Sequence, residues 1–439
     1  MDQKSLLFTP EGVRDIYGED CERRAKIQQG IHTIMKQYGF KNIQTPTFEF
    51  FDIFNRERGT VKSADMFKFF DQYNNTLVLR PDITPSIARC VAKYYEKEEM
   101  QIRLCYTGST FTRLSGYQGK LSEITQLGAE MMNDASSDAD GEIIAMTIEC
   151  LQKSGLKEFK VDIGHADIFR GLIEETDLSE EEIETLKTYL NNKNIFAVED
   201  MLENRDMPQE CKNLLVKMPD LFGGIETITY VKEQTTNKRA LKALERLEKI
   251  YEILSVSGLE DHITFDLGLL SHYEYYTGVI FKAYTYGTGD AIVTGGRYDN
   301  LVEQFGKKTP AVGFASLLDQ LMEALRSQEI PIEAQEKDYL HDKKNTASAL
   351  IKVCHRIMDC HVTFGFHIRG DRGNNTQMIC FKETIKLSNL IIVASPFGSI
   401  EFFQWDWIPD VNIFLCTYND FTVTVDDPQY SILKIGNCT

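Results

Sequence analysis

The chain has 439 residues, 42% of them hydrophobic and 26% charged, and carries a formal net charge of -18 at pH 7. That length exceeds what one core ordinarily supports and points to two or three domains, and no apolar run is long enough to span a bilayer. The acidic balance disfavours RNA or DNA as a partner, because such affinity rests on phosphate neutralisation by Lys and Arg.

The opening stretch MDQKSLLFTPEGVRD has neither the basic region nor the apolar core of a secretory signal, so a cytoplasmic protein is expected. Its ten cysteines then read as reduced thiols, scattered without a C-x-x-C pair. Cys354, His355, Cys360, His361 and His367 recur at intervals of six, which match neither the short loops of structural zinc nor one helical face. No metal site is expected.

Over residues 21–38, Ile27, Ile31, Ile34 and Met35 recur at helical spacing with charges opposite, predicting a long amphipathic helix that ends at Gly39. FKNIQTPTFEFFDIF then reads as extended chain through Pro46, a strand with its proline at an edge or interface position. NTLVLRPDITPSIARCVAKYY predicts a short apolar strand, a turn at Pro81 and Pro85, and a helix. QIRLCYTGSTF and ITQLGAEMM alternate on either side of a Gly-containing loop, as in an antiparallel pair. Residues 140–257 are mostly helical in pattern, with a capping box from Ser179 to Glu182, and are interrupted by the strand FKVDIGH. ITFDLG, YTGVIFKAYTYG and DAIVTGG return to strands, and PAVGFASLLDQLMEALRSQ steps from strand to helix. Beyond Ile332, NTASALIKVCHRIM, HVTFGFHI, TIKLSNLIIVAS and VNIFLCTY predict a small α/β domain over 333–439, the last third of which shows no helix period.

General nucleotide motifs are absent: GTGDAI lacks the third glycine of a dinucleotide fingerprint, and no G-x-x-x-x-G-K-[ST] occurs. Taken together, however, TPEGVRDIYGED, YGFKNIQTPTFE, LRPDITPSIAR, YTGSTF…GK…ITQLGAE, YYTGVIF, GGRYDNLVEQFG and TPAVGFASLLDQL follow the order and spacing of histidyl-tRNA synthetase catalytic domains. The chain resembles that family over residues 5–326. The resemblance implies an α+β fold: a class II synthetase-like antiparallel sheet flanked by helices over 1–332, with a helical insertion at about 170–257. It also implies a self-dimer whose interface is supplied by residues 21–46.

In that family's second motif an Arg after the Phe grips the α-phosphate and a Glu two residues later assists at ATP. Here Thr112 follows Phe111, and Leu114 stands in the Glu's place. The third motif's closing Arg, which holds the γ-phosphate, aligns with Gln320, and the histidine-specific catalytic Arg aligns with Ser271 in SHYEYY. Loss of even one donor aimed at developing phosphate charge costs about 3 kcal/mol, so neither catalytic residues nor a cofactor are expected. Arg113, Lys120 and Arg297 are the cations left open as substitutes.

The amino-acid half differs. The family encloses histidine with an acid and a Thr of R-P-E-G-T, a Gln and a Glu of the second motif, and the tyrosines of Y-Y-T-G. This sequence offers Asp82, Thr84, Gln126, Glu130, Tyr275 and Tyr276, with Asp82 one methylene shorter than the family's Glu and Ile83 in place of its Gly. By resemblance, carboxylate and amide would hold the α-amino group, while Glu130 and the Tyr276 hydroxyl would meet the imidazole nitrogens. Polar ligand partners kept and phosphate grips lost is a pattern similar to the regulatory subunits of ATP phosphoribosyltransferase. That family is non-catalytic, assembles with a short-form catalytic subunit, commonly as a hetero-octamer, and takes part in histidine feedback in the first step of histidine biosynthesis. The resemblance implies that partner, histidine as effector, and neither tRNA nor membrane. An active synthetase with an atypical site and a free-standing histidine sensor are the alternatives.

Overall fold

The computed structural model describes residues 7–54, 61–113, 121–270 and 275–332, together with the backbone strands between 363 and 437. The chain divides into two compact units, Met1–Ala334 and Gln335–Thr439. In the first, α1 (Glu19–Gln37) leads to β1 (Lys41–Asn42), β2 (Phe48–Phe50), β3 (Lys68–Phe70), β4 (Thr76–Leu79), α2 (Thr84–Tyr94), β5 (Ile102–Phe111) and β6 (Glu123–Met132). Next come α3 (Ser137–Lys153), β7 (Phe159–His165), α4 (Ala166–Ile173), α5 (Glu180–Asn191), α6 (Ile195–Leu202), α7 (Gln209–Lys217), β8 (Phe222–Gly223), α8 (Ile225–Gln234) and α9 (Lys238–Val256). The unit closes with β9 (Ile263–Asp266), β10 (Val279–Thr285), β11 (Val293–Arg297), β12 (Ala311–Leu317) and α10 (Leu318–Ser327).

Helix α1 buries Arg24, Ile27, Ile31 and Met35, one stripe at three- and four-residue spacing, and has acids in its first turn and Lys36 in its last. It stops at Gly39, whose φ of 81° is open to glycine at little strain. There the Phe40 amide donates to Met35 O at 3.1 Å and the Gly39 amide to Lys36 O at 3.0 Å, the paired bonds of a Schellman cap. The extended stretch that follows is not one strand. β1 joins the main sheet and β2 a separate sheet of order β2-β4-β3. Pro46 lies in the crossing, where it has no amide to donate. The carbonyls of Thr45 and Pro46 are instead taken by Arg80 Nη1 at 2.9 and 3.2 Å.

The main sheet has nine strands in the order β1-β5-β6-β12-β11-β10-β7-β9-β8. It is mixed, not purely antiparallel, because β1 pairs β5 and β7 pairs β9 in parallel. A parallel neighbour requires a long crossover, and for β7 and β9 the helices α4 to α9 supply it. Within this insertion α5 starts in a capping box, Ser179 and Glu182 each satisfying the other's backbone. One face of the sheet packs Leu127, Ala129, Met131, Ile163, Phe281 and Phe314 into the large core with α1, α3 and α9. The opposite face carries the row Leu104, Glu130, Gly313, Gly296, Ile280 and Gly164, one residue from each of six adjacent strands.

The described residues of the second unit are all strand. β13 (Thr363–Arg369) pairs β14 (Thr376–Lys382), β15 (Leu390–Ala394) pairs β16 (Ile400–Gln404), and β17 (Asp406–Ile408), β18 (Ile413–Tyr418), β19 (Phe421–Val425) and β20 (Leu433–Asn437) form a meander. The expected helix NTASALIKVCHRIM lies outside the described residues, as do Cys354, His355, Cys360 and His361, while His367 lies in β13.

A buried ion pair ties the layers of the first unit together. Asp140 of α3 is fully buried and accepts from Arg297 Nε at 2.9 Å and from Arg246 Nε of α9 at 2.6 Å. Arg297 is itself only 3% exposed and also donates to Asp134 O. Burial pushes the Asp140 carboxyl up, against the pull of the two guanidinium groups. Removing Arg297 would leave Asp140 with Arg246 alone and take the buried donor from one Asp140 oxygen and from Asp134 O, so Arg297→Met is expected to lose about 1–3 kcal/mol in urea unfolding. A loss below about 1 kcal/mol would contradict this role.

Candidate functional site

The pocket is assembled on the Glu130 row of the sheet. Glu130 is 1% exposed on β6 and accepts from Thr84 Oγ1 at 2.7 Å on one oxygen and from the Tyr298 hydroxyl on the other. Thr84 opens α2, and Asp82 just before it takes the Ile83 and Thr84 amides at 2.7 and 3.3 Å, satisfying donors that a helix start leaves unpaired. The second Asp82 oxygen accepts from the Tyr275 hydroxyl at 3.5 Å. The Tyr275 ring lies edge-on to Tyr276 and Tyr298, with centroids 4.9 and 5.7 Å apart.

Two glycines make this packing possible. Gly313 sits directly opposite Glu130, and a Cβ there would overlap the Glu130 carboxylate. A Cβ on Gly296 would stand 2.8 Å from the Tyr276 ring. Asp82, Thr84, Gln126, Glu130, Tyr275 and Tyr276 all border one cavity of about 20 Å³, room for about one water. Gln126 Oε1 is buried there without a hydrogen-bond partner. Tyr298 and Thr294 also line the cavity. Tyr298 lies in the motif GGRYDNLVEQFG, whose resemblance implies no role for it. Its signal was alternation: Gly296 and Tyr298 share a face, with Arg297 turned to the other.

Burial pushes the Glu130 carboxyl up to about 8, against the two hydroxyl donors, and the Asp82 charge adds to the rise. The Tyr106 and Tyr298 phenols are raised well above their ordinary range, first by burial and then by Glu130. At neutral pH the closed pocket therefore holds Glu130 protonated. It offers a ligand a neutral carboxyl group in place of a charged one.

The neighbouring end of the sheet is different. Thr112 continues β5, its amide donating to Ser122 O at 2.8 Å, and Gln320 stands in the first turn of α10 with Oε1 buried and unpartnered. Next to it Asp319 accepts from Arg24 at 2.8 Å, Arg14 at 3.0 Å and the Thr125 amide at 3.1 Å. Arg297 is held by Asp140 and does not substitute for a lost arginine, and the Arg113 side chain is exposed. Leu114, Lys120 and Ser271 lie outside the described residues. Among the described residues no His, Cys, Asp or Glu group could hold a metal ion, and no helix is long and apolar enough to cross a membrane.

The histidyl-tRNA synthetase family profile matches residues 12–321. A histidyl-tRNA synthetase structure from Nostoc shares the fold, with a TM-score of 0.64 at 18% identity over 80% of this chain and 84% of its own. Fold and site together define a class II, histidyl-tRNA synthetase-like protein. An ATP phosphoribosyltransferase regulatory subunit from Ruminiclostridium cellulolyticum is 38% identical over 78% of this chain and 83% of its own length. One from Clostridium kluyveri is 40% identical over 73% and 82%. A Bacillus halodurans structure described as an ATP phosphoribosyltransferase regulatory subunit/histidyl-tRNA synthetase gives a TM-score of 0.68 at 33% identity, over 73% of this chain and 83% of that one. The chain belongs to the family of ATP phosphoribosyltransferase regulatory subunits.

The raised Glu130 pKa has a signed consequence. The folded chain binds a proton between the ordinary value of 4.5 and about 8 that the unfolded chain has released, so stability falls as pH rises through that window. The contribution changes by at most about 1.4 kcal/mol per pH unit. Glu130→Gln is neutral at every pH, so the variant should gain on the unmodified protein from pH 5 to 8 in thermal melts. Parallel curves would contradict the assignment.

Proposed function

We propose that this chain is a non-catalytic subunit that switches on a short-form ATP phosphoribosyltransferase catalytic subunit by assembling with it as a hetero-octamer. Histidine in the pocket around Glu130 then mediates feedback on the first step of histidine biosynthesis. One observation carries the reading: amino-acid partners converge on a single cavity, while the phosphate end presents Thr112 and Gln320, with Arg297 bound to Asp140. The relatives' names support a regulatory role and a catalytic partner. The charge of -18 supports the absence of tRNA, and a cytoplasmic setting is part of the proposal. Self-association through residues 21–46 is part of the proposal, and Phe48 and Phe50, each more than half exposed on β2 directly after them, support it.

Histidine at a hundred times its dissociation constant should stabilise the unmodified fold by about 2.7 kcal/mol. Mixing the two purified chains should give a joint peak on size exclusion, raised transferase activity and inhibition by histidine. Glu130→Ala should keep the joint peak and the activation but lose the inhibition, because an effector acts only through differential affinity for two states. Neither a joint peak nor any change in activity would count decisively against the proposal.

A further inference from the structure

A cavity that holds about one water cannot admit an amino acid bearing an imidazole ring, so part of its wall must move. Thr84 belongs to α2, and Gln126, Glu130 and Gly313 belong to interior strands whose ladders hold them on both sides. Tyr275 and Tyr276 are different, because each has space behind it. Tyr276 also borders a cleft of about 1020 Å³ against α4 and α5, and Tyr275 borders another of about 350 Å³ beside Asp299.

Arg170 and Arg239 both line these two outer spaces, and Arg170 also grips the backbone between them. Arg170 of α4 donates through Nη2 to Tyr276 O at 2.7 Å and through Nη1 to Thr277 O at 3.4 Å. Its guanidinium lies 3.5 Å from Asp167 Oδ1, which also accepts from Arg239, the second residue of α9, at 2.6 Å. Arg239 in turn bonds Glu174, at the C-terminal end of α4. A continuous set of charged contacts therefore links two insertion helices to the tyrosine pair.

We propose that Arg170 is a positioning residue that latches Tyr275 and Tyr276 shut over the pocket, so that the helical insertion sets the affinity for histidine. The inference rests on the reading of that pocket as a histidine site. Apparent affinity scales with the fraction of molecules that are open, so any movement of α4 or α9 that slackens Arg170 tightens binding. The insertion is thereby a handle on feedback, distinct from the residues that touch the ligand.

The test uses the full chain with Arg170→Met, and Arg170→Lys as the variant that keeps the charge. L-Histidine is titrated calorimetrically, and amide exchange over 275–278 is followed without ligand, with the β5 and β6 amides as the folding control. Arg170→Met should tighten the dissociation constant about tenfold, the scale of a lost charge-assisted hydrogen bond, and speed exchange over 275–278 while β5 and β6 stay protected. Arg170→Lys should fall between. Asp167→Asn leaves Arg170 in place but weakens its anchor and should shift both readouts in the same direction, which keeps the test open if Arg170→Met folds poorly. Histidine binding that is unchanged or weaker, with exchange unchanged, overturns the latch alone. If the unmodified chain and Arg170→Met both fail to titrate histidine, the pocket reading falls and the affinity claim with it.

Discussion

A carboxyl group buried in the middle of a β-sheet constrains everything around it, and Glu130 carries that group. It needs hydrogen-bond partners on both oxygens, and these come from elements far apart in sequence, Thr84 at the start of α2 and Tyr298 just past β11. It also needs room, which Gly313 on the facing strand provides by having no Cβ. Tyr298 can reach it only if the residue before stays turned to the opposite face, and the Arg297 pair with Asp140 fixes that. The ion pair under the sheet and the pocket on top are thus one structural unit, joined through two consecutive residues.

The same sheet carries two fates side by side. At the Glu130 end polar groups converge on one small cavity bordered by tyrosine rings. At the β5 and α10 end, among the described residues, Thr112 and Gln320 are neutral, and the nearby cations Arg14 and Arg24 are paired with Asp319. Under the proposed function, a site with its amino-acid half kept and its phosphate half refilled by internal contacts would bind and report rather than stabilise charge on a transferring nucleotide. This is the physical sense in which a catalytic fold serves a regulatory subunit.

How far the sequence carried depended on the range of the interaction. Helix α1, its glycine stop and the β5–β6 pair were legible because their signals are local: a buried stripe, a cap, an alternation. The step from β12 into α10 was legible for the same reason. Parallel pairing of β1 with β5 and of β7 with β9 was not, since nothing within a strand announces a partner across a long crossover. The break at Pro46 was half legible; the proline was noted, but the capture of its carbonyl by Arg80 is a tertiary contact. For the site, motif order brought forward six of the residues around the cavity. Tyr298 escaped because its role is set by cross-strand register, and the closure by Tyr275 and Tyr276 because a cavity volume is invisible in a string of residues.

The proposed regulatory role rests on loss of the phosphate half of this synthetase-like site. Histidine-dependent exchange of pyrophosphate into ATP measures it most directly, because exchange requires histidyl-adenylate to form and revert. The account predicts no exchange above the histidine-free background. Exchange within tenfold of an ordinary histidyl-tRNA synthetase, a barrier difference of only about 1.4 kcal/mol, would contradict it.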